Sequence, residues 1–322
     1  MIWKIVCLII GFVFLVKGAD LLVKAATSMA KKLGLSEMLI GLTIVALGTS
    51  LPEIFITITS AVEGHSDLII GNAIGSCICN FLFVIGISCL IRPVKFDKRI
   101  VKRHLPIAIV TMLLLLVLGN TDKLGGAQTI TRWQGVILLI FTLLYILYTI
   151  YEERTIKNKT IDEEMIKDVK ARETDSAKKI IMYFILGIIG LKIGADWVVD
   201  NSIEIAKYYG LSEKFIGITI VAIGTALPEI ITGIIAAKKG ETDLLLGNIS
   251  GSNILNLCLL IGLGAVIHPL TFTTDFNSSI FILIAVTILL QWLATRNPKS
   301  ELNRSKGVLL IFLYGLYIVS IL

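Results

Sequence analysis

Two glutamates stand inside apolar stretches that recur in the sequence, at residues 41–53 and again at residues 217–229. Each stretch ends in Gly-Thr-Ser/Ala-Leu-Pro-Glu, which places Glu53 and Glu229 at an offset of 176 positions. A carboxylate deep in an apolar span costs free energy and is by default a functional residue. The recurrence of one such residue therefore predicts a single site to which both copies contribute.

The residues that precede each glutamate suit an oxygen-rich cage. Positions i, i+3, i+4 and i+7 share one helix face, and two sets have this spacing: Ala46, Thr49, Ser50 and Glu53, and Ala222, Thr225, Ala226 and Glu229. The proline before each glutamate kinks the helix and frees backbone carbonyls. Calcium takes about six to eight oxygen ligands, and two glutamates match the charge of one divalent ion. This pattern therefore predicts a calcium-binding site.

The next apolar stretch in each half carries a second motif, Gly-Asn-x-x-Gly-Ser, at residues 71–76 and 247–252. Spacing by four residues aligns a polar stripe in each half, formed by Asn72, Ser76 and Asn80 and by Asn248, Ser252 and Asn256. The paired glycines let helix backbones approach closely, which would bring these stripes toward the glutamates. A lone Ser or Asn in a membrane helix usually serves as interhelical glue, and that role stays open here.

The repeat extends well beyond these motifs. Gly18-Ala19-Asp20 recurs as Gly194-Ala195-Asp196, and Pro93 recurs as Pro269, all at the offset of 176 without a gap. Five predicted spans separate matching positions, so the second copy enters the membrane in the opposite sense. Inverted repeats are typical of secondary transporters, whose substrate site lies near the bilayer midplane where the halves meet. Asp20 and Asp196 follow Lys17 and Lys192 along their helices, and we assign them to structural ion pairs.

The composition predicts an integral membrane protein. Of the 322 residues, 55% are hydrophobic and 17% are charged, whereas a soluble domain carries about 25% charge. Apolar runs of roughly 20 residues predict ten spans, at 2–26, 38–62, 68–91, 104–120, 133–151, 180–204, 214–237, 244–267, 279–295 and 307–322. The predicted fold is all-α, with ten transmembrane helices arranged as two inverted five-helix repeats at 1–151 and 180–322, joined by a linker at 152–179.

Lysine and arginine residues divide between the two sides of the membrane. The loops after the odd-numbered spans hold 22 of them and the opposite side holds 5. Because cytoplasmic loops carry the excess of positive charge, we expect a cytoplasmic linker and extracellular termini. The net charge of +6 thus reports orientation and does not indicate a nucleic-acid partner.

The twin motifs resemble the α-repeats of the cation/calcium antiporter superfamily, specifically its prokaryotic sodium/calcium exchangers. The resemblance covers nearly the whole chain and implies a ten-helix alternating-access exchanger, with spans 1 and 6 as long helices that slide against the core. It implies that calcium is bound by Glu53 and Glu229 with carbonyls of Thr49 and Thr225. For sodium, it implies the same glutamates together with Thr49, Thr225, Ser76, Ser252, Ser50, carbonyls of Ala46 and Ala222, and a centre containing Asn80 and Asn256.

Several positions bear on the counter-ion. Ala226 stands where the family usually has a serine, and Asn256 stands where some exchangers have an aspartate. Both departures affect sodium affinity and stoichiometry more than calcium binding. Proton-coupled relatives typically carry Gly-Asn-x-x-Glu in the second motif, whereas this chain has Gly75 and Gly251 at those places. This difference favours sodium.

The sequence therefore predicts a plasma-membrane antiporter that exchanges calcium for sodium and acts without a cofactor. Its expected partners are the two ions and the lipid bilayer, and a monomer is expected. Two alternatives stay open, a proton/calcium or other cation antiporter and an ion channel. An enzyme is disfavoured because the sequence offers neither a nucleophile–base pair nor a metal triad.

Overall fold

A computed structural model shows a chain built almost entirely of helices. It describes residues 2–121, 123–124, 127–159, 175–210, 222–296 and 300–321. The α-helices within these ranges are α1 (Ile2–Leu33), α2 (Glu37–Ile40), α3 (Ala46–Thr49), α4 (Leu51–Glu63), α5 (Ser66–Ile78), α6 (Ile85–Ile91), α7 (Leu105–Thr121), α8 (Arg132–Lys159), α9 (Ala177–Tyr208), α10 (Ala222–Thr225), α11 (Leu227–Lys239), α12 (Thr242–Leu255), α13 (Ile261–Ile267), α14 (Asp275–Arg296) and α15 (Arg304–Ile321).

Short π-helical and extended segments join these helices. The π-helical segments of the described chain are Gly41–Val45, Cys79–Val84, Ile100–His104 and Asn256–Leu260. The strands are β1 (Val94–Lys95), β2 (Lys123–Leu124), β3 (Ala127–Ile130), β4 (Leu270–Thr271) and β5 (Glu301–Leu302). β1 pairs antiparallel with β5, and β3 pairs antiparallel with both β2 and β4. These ladders lie in loops and leave the fold all-helical in character.

The helices confirm a multi-pass membrane protein. Seven helices of the described ranges are long and apolar enough to cross a membrane, and an eighth span results if the bent pair Glu37–Thr49 and Leu51–Glu63 counts as one. The start of the predicted seventh span, 214–237, lies outside the described residues. Residues 160–174, which make up most of the linker, also lie outside them. The count of ten spans and the inversion of the second half stay predictions.

Local backbone features recur at the offset found in the sequence. The glycines with positive φ in the described ranges are Gly34 at 60°, Gly64 at 79°, Gly210 at 75° and Gly240 at 82°, which form two pairs 176 positions apart. Glycine is favoured there because a Cβ would be strained in the left-handed region. β1 and β4 are separated by the same offset. The repeat is therefore visible in the backbone geometry as well as in the amino-acid sequence.

The chain divides into two compact units, each of which draws on both halves of the sequence. Unit 1 comprises Met1–Thr49 and Leu144–Asn248. Unit 2 comprises Ser50–Leu143 and Ile249–Leu322. Two of the three divisions, after Thr49 and after Asn248, fall within the motifs, and the third, after Leu143, falls within α8.

Unit 1 contains the crossing of α1 and α9, two helices of 32 residues each. Small residues set how closely they approach: a Cβ at Gly18 would lie 2.6 Å from the backbone nitrogen of Leu191, and one at Gly194 would lie 2.6 Å from that of Leu15. Such contacts are typical of membrane helices that pack through glycine. The length of both helices agrees with the expected long spans 1 and 6, whose sliding stays a prediction.

The ion pairs of unit 1 match the sequence expectation in one half. Lys192 Nζ lies 2.6 Å from a carboxylate oxygen of Asp196, as predicted from their i,i+4 spacing. Asp20 instead pairs with Lys239, whose Nζ lies 2.7 Å from its carboxylate. The predicted partner Lys17 is therefore wrong, because the end of α11 brings a closer cation to Asp20.

Candidate cation site

Each glutamate lies in the first turn of a helix that starts at a backbone break. α4 and α11 both begin with Leu-Pro-Glu, and proline suits a first turn because its missing N–H would have no helical partner. The residues before them, Ser50 and Ala226, have nearly identical φ/ψ angles of −82°/6° and −86°/0°. In the first half, the break bends the helix pair by 46°. The kink predicted from the proline is thus confirmed there, and its centre is Ser50.

Unit 1 carries Glu229, which is only 1% exposed, together with Thr49, Ala46 and Thr225. The Thr49 hydroxyl donates to Oδ1 of Asn248 at 3.2 Å and lies 3.4 Å from the Ala46 carbonyl. Thr49 and Ala46 are buried, and Thr225 is half-buried. Ala222 belongs to α10, and its side chain lies outside the described residues. Unit 1 therefore brings the predicted Thr49 hydroxyl into contact with the Asn248 side chain, which belongs to the second copy of the Gly-Asn-x-x-Gly-Ser motif.

Unit 2 carries Glu53, which is fully buried. α4, which bears it, packs against α5, α13 and the π-helical segment Asn256–Leu260. The remaining predicted residues of this unit are also buried: Ser50, Ser76, Asn80, Ser252 and Asn256. The Ser50 hydroxyl donates to Oγ of Ser252 at 3.4 Å. One hydroxyl from each sequence half therefore meets inside this unit.

Several buried polar atoms of unit 2 have no hydrogen-bond partner within the described ranges. They include Oδ1 of Asn80, Oγ1 of Thr57 and both amide atoms of Asn256. Burying a polar atom without a partner costs free energy, and such atoms in a native protein call for an explanation such as a bound ion. Carboxylate, amide and hydroxyl oxygens are the ligands that hard cations prefer. The buried carboxylate, amide and hydroxyl oxygens of this unit fit a calcium or sodium ion as substrate.

Both asparagines of this set belong to π-helical segments. Asn80 is the second residue of Cys79–Val84, and Asn256 is the first of Asn256–Leu260. Such segments are rare and are frequent at functional sites, because the wider turn redirects side chains and frees backbone groups. The sequence does not predict these segments, because the mainly apolar residues that form them carry no signal for this geometry.

The predicted close approach at the glycines of the second motif is confirmed in the second half of the sequence. A Cβ at Gly247 would lie 2.5 Å from the Met38 carbonyl oxygen, and one at Gly41 would lie 2.6 Å from that of Leu244. At Gly71 and Gly75, an added Cβ would meet no heavy atom of the described chain within 4 Å. The prediction is therefore confirmed for Gly247. For the first half it stays a prediction, because residues 214–218, which the offset of 176 relates to the neighbours of Gly247, lie outside the described residues.

Thr57 is a buried residue outside the two sequence motifs, although it lies four positions after Glu53 and hence on the same helix face. Its hydroxyl has no hydrogen-bond partner within the described ranges. In the absence of ions, we expect Thr57→Val to stabilise the protein by about 1 kcal/mol, since an apolar group of the same shape removes the cost of the unpaired hydroxyl. Thermal unfolding in ion-free detergent measures this. A lower melting temperature would show that the hydroxyl has a partner in the free protein.

Comparisons with known proteins cover nearly the full length. The family profile described as sodium/calcium exchanger protein matches residues 3–151 and 179–322. The sodium/calcium exchanger MaX1 of Methanosarcina acetivorans is 32% identical, over 97% of this chain and 96% of its own length. The inner membrane protein YrbG of Escherichia coli is 32% identical, over 94% of this chain and 92% of its own length.

Solved structures give the same result. A structure of the sodium-calcium exchanger NCX_Mj, soaked with zero Na+ and Ca2+, superposes with a TM-score of 0.83 at 29% identity and covers 100% of this chain and 99% of that one. A second structure of NCX_Mj, soaked with Na+ and Sr2+, gives a TM-score of 0.81 at 29% identity. Here 99% of this chain and 98% of the other are covered.

Proposed function

The chain belongs to the sodium/calcium exchanger family, and we propose that it is a secondary antiporter that exports calcium in exchange for sodium across the plasma membrane by alternating access. Membership of this family makes it a cation/calcium antiporter. The choice of sodium as the counter-ion rests on Gly75 and Gly251, which occupy the positions where proton-coupled relatives typically carry glutamate.

The observation that carries this proposal is the burial of two carboxylates at equivalent helix breaks. Glu53 is 0% and Glu229 is 1% exposed, and each lies in the first turn of its helix. A helix N-terminus stabilises a nearby anion, so this position favours the charged form of each carboxylate, which is the form that binds a cation. We propose that both glutamates bind the same calcium ion, with the carbonyls of Thr49 and Thr225.

Sodium uses an overlapping set in this proposal. The ligands are Glu53 and Glu229 with oxygens of Thr49, Thr225, Ala46, Ala222, Ser50, Ser76, Ser252, Asn80 and Asn256. Because two carboxylates cannot neutralise a calcium ion and a full sodium load together, the ions compete. Exchange follows if the empty site switches sides slowly, since two bare carboxylates in a low dielectric repel each other.

The proposed arrangement in the membrane follows the distribution of charge. We propose ten spans in two inverted five-helix repeats, at 1–151 and 180–322, with both termini outside and the linker 152–179 in the cytoplasm. The excess of Lys and Arg in the odd-numbered loops supports this orientation. The proposed transport unit is a monomer.

Uptake of labelled calcium into proteoliposomes tests the counter-ion. Vesicles loaded with sodium and diluted into sodium-free buffer are expected to accumulate calcium, because outward sodium flow drives its exchange. Vesicles loaded with choline at the same osmolarity are the control and are expected to accumulate little. Calcium uptake driven by a pH gradient and indifferent to sodium would select proton exchange instead. Uptake without any counter-ion, accompanied by a current, would select a channel.

A further inference from the structure

Asn253 follows the Ser252 of the second motif and is fully buried in unit 2. Its side-chain Nδ2 donates to the Cys77 carbonyl at 3.2 Å, and its Oδ1 accepts from Nδ2 of Asn80 at 3.0 Å. The Cys77 thiol donates to the Asn253 backbone carbonyl at 3.4 Å. The amide of Asn253 is therefore held at both ends, on one side by backbone and on the other by a candidate ion ligand.

These contacts determine which way the Asn80 amide faces. A backbone carbonyl only accepts hydrogen bonds, so the end of the Asn253 amide that touches Cys77 must be the NH₂ group. The other end is then the oxygen, and the atom of Asn80 that meets it must be a donor. Nδ2 of Asn80 is its only side-chain donor. Oδ1 of Asn80 is consequently turned away from Asn253, where it is buried and has no partner in the described chain.

The repeat lacks the same device in its other half. The offset of 176 relates Asn253 to Cys77 and Asn256 to Asn80. A cysteine side chain has no amide group, so the contact that orients Asn80 has no counterpart for Asn256. Both amide atoms of Asn256 are without a hydrogen-bond partner in the described ranges. Two asparagines that the repeat makes equivalent are thus unequal, one oriented and one without orientation.

We propose that Asn253 is a positioning residue that holds the Asn80 amide with its oxygen presented to the transported cation, while Asn256 must be oriented by the ion itself. This inference rests on the proposed function, because it assumes that cations bind at Asn80. A ligand held in its bound orientation loses less conformational freedom on binding. Residues that orient a metal ligand typically contribute about 10–100-fold to metal affinity. The Asn80 oxygen is therefore the more effective of the two.

Asn253→Leu tests this role, since leucine has the same branched heavy-atom skeleton as asparagine and lacks both hydrogen-bonding groups. We expect the concentrations of sodium and calcium that half-saturate binding to rise about tenfold. Binding is measured as the ion-induced increase in melting temperature in detergent, with transport in proteoliposomes as a second readout. Unchanged half-saturation for both ions would overturn the proposal.

The same substitution in an Asn80→Asp background separates positioning from packing. A carboxylate presents oxygen in either orientation, so Asn253→Leu is expected to change half-saturation less than about twofold there, as a double-mutant cycle would report. An equal loss in both backgrounds would assign Asn253 to packing alone and overturn the proposal.

Exchanging Cys77 and Asn253 tests the inference without removing either side chain from the protein. In Cys77→Asn/Asn253→Cys, the orienting amide moves to the other half. In the native protein Asn80→Ala is expected to weaken ion binding more than Asn256→Ala, and in the exchanged protein the order is expected to reverse. An unchanged order would overturn the proposal. Sodium-independent calcium flux by the native protein would instead refute the proposed antiport, while these binding measurements would still decide the role of Asn253.

Discussion

Replacing Glu53 by glutamine is expected to abolish calcium uptake, lowering its rate by about 100-fold or more. The substitution keeps the size of a side chain that is fully buried and removes only its charge. Calcium affinity varies over several decades with the charge that its ligands supply, and an amide at this depth leaves the divalent ion half-compensated. Glu229→Gln is expected to have an equally large effect, because Glu229 stands at the equivalent break in the second half.

Sodium-driven uptake of labelled calcium into proteoliposomes measures both losses. Glu63→Gln is the matched control: it makes the same chemical change at the end of the same helix, α4, where the carboxylate side chain is 66% exposed. The control is expected to transport at the native rate. If Glu53→Gln also transported at the native rate, the carboxylate pair would not be the calcium site.

Gly247→Ala is expected to destabilise the protein by about 1–3 kcal/mol, the usual cost of forcing extra volume into a close-packed contact. The new Cβ would lie 2.5 Å from the Met38 carbonyl oxygen and 3.1 Å from the Leu42 backbone nitrogen. Backbone atoms cannot turn aside as a side chain can, so α2 and α12 must separate. Because Asn248 accepts the hydrogen bond of Thr49, transport is expected to fall as well.

An exposed glycine of another helix is the control for this experiment. Gly315→Ala makes the same change in α15 at an exposed position, where the new Cβ would meet no described heavy atom within 4 Å. We expect its melting temperature and its calcium uptake to remain at native values. A Gly315→Ala protein as unstable as Gly247→Ala would mean that the loss does not come from the contact of residue 247 with Met38.

Much of this protein could be predicted from composition and recurrence. Apolar runs predict helices that cross the membrane because lipid offers no partners for unpaired backbone groups. The proline in each motif predicts the break that the structure has at Ser50. The buried glutamates stand out because a carboxylate in such a run is too costly to be incidental. These features depend on local chemistry, which the sequence determines by itself.

Other properties were decided only when the chain folded. Asp20 pairs with Lys239 rather than Lys17, because the fold brings the end of α11, which is far away in sequence, next to Asp20. Gly247 packs against the backbone of Met38 and Leu42, and nothing in its motif identifies these two residues as its neighbours. The orientation of Asn80 depends on Asn253, which is 173 positions away. Each depends on which helices are neighbours and on which side they pack, and a repeat with nearly equal halves carries no local signal for that choice.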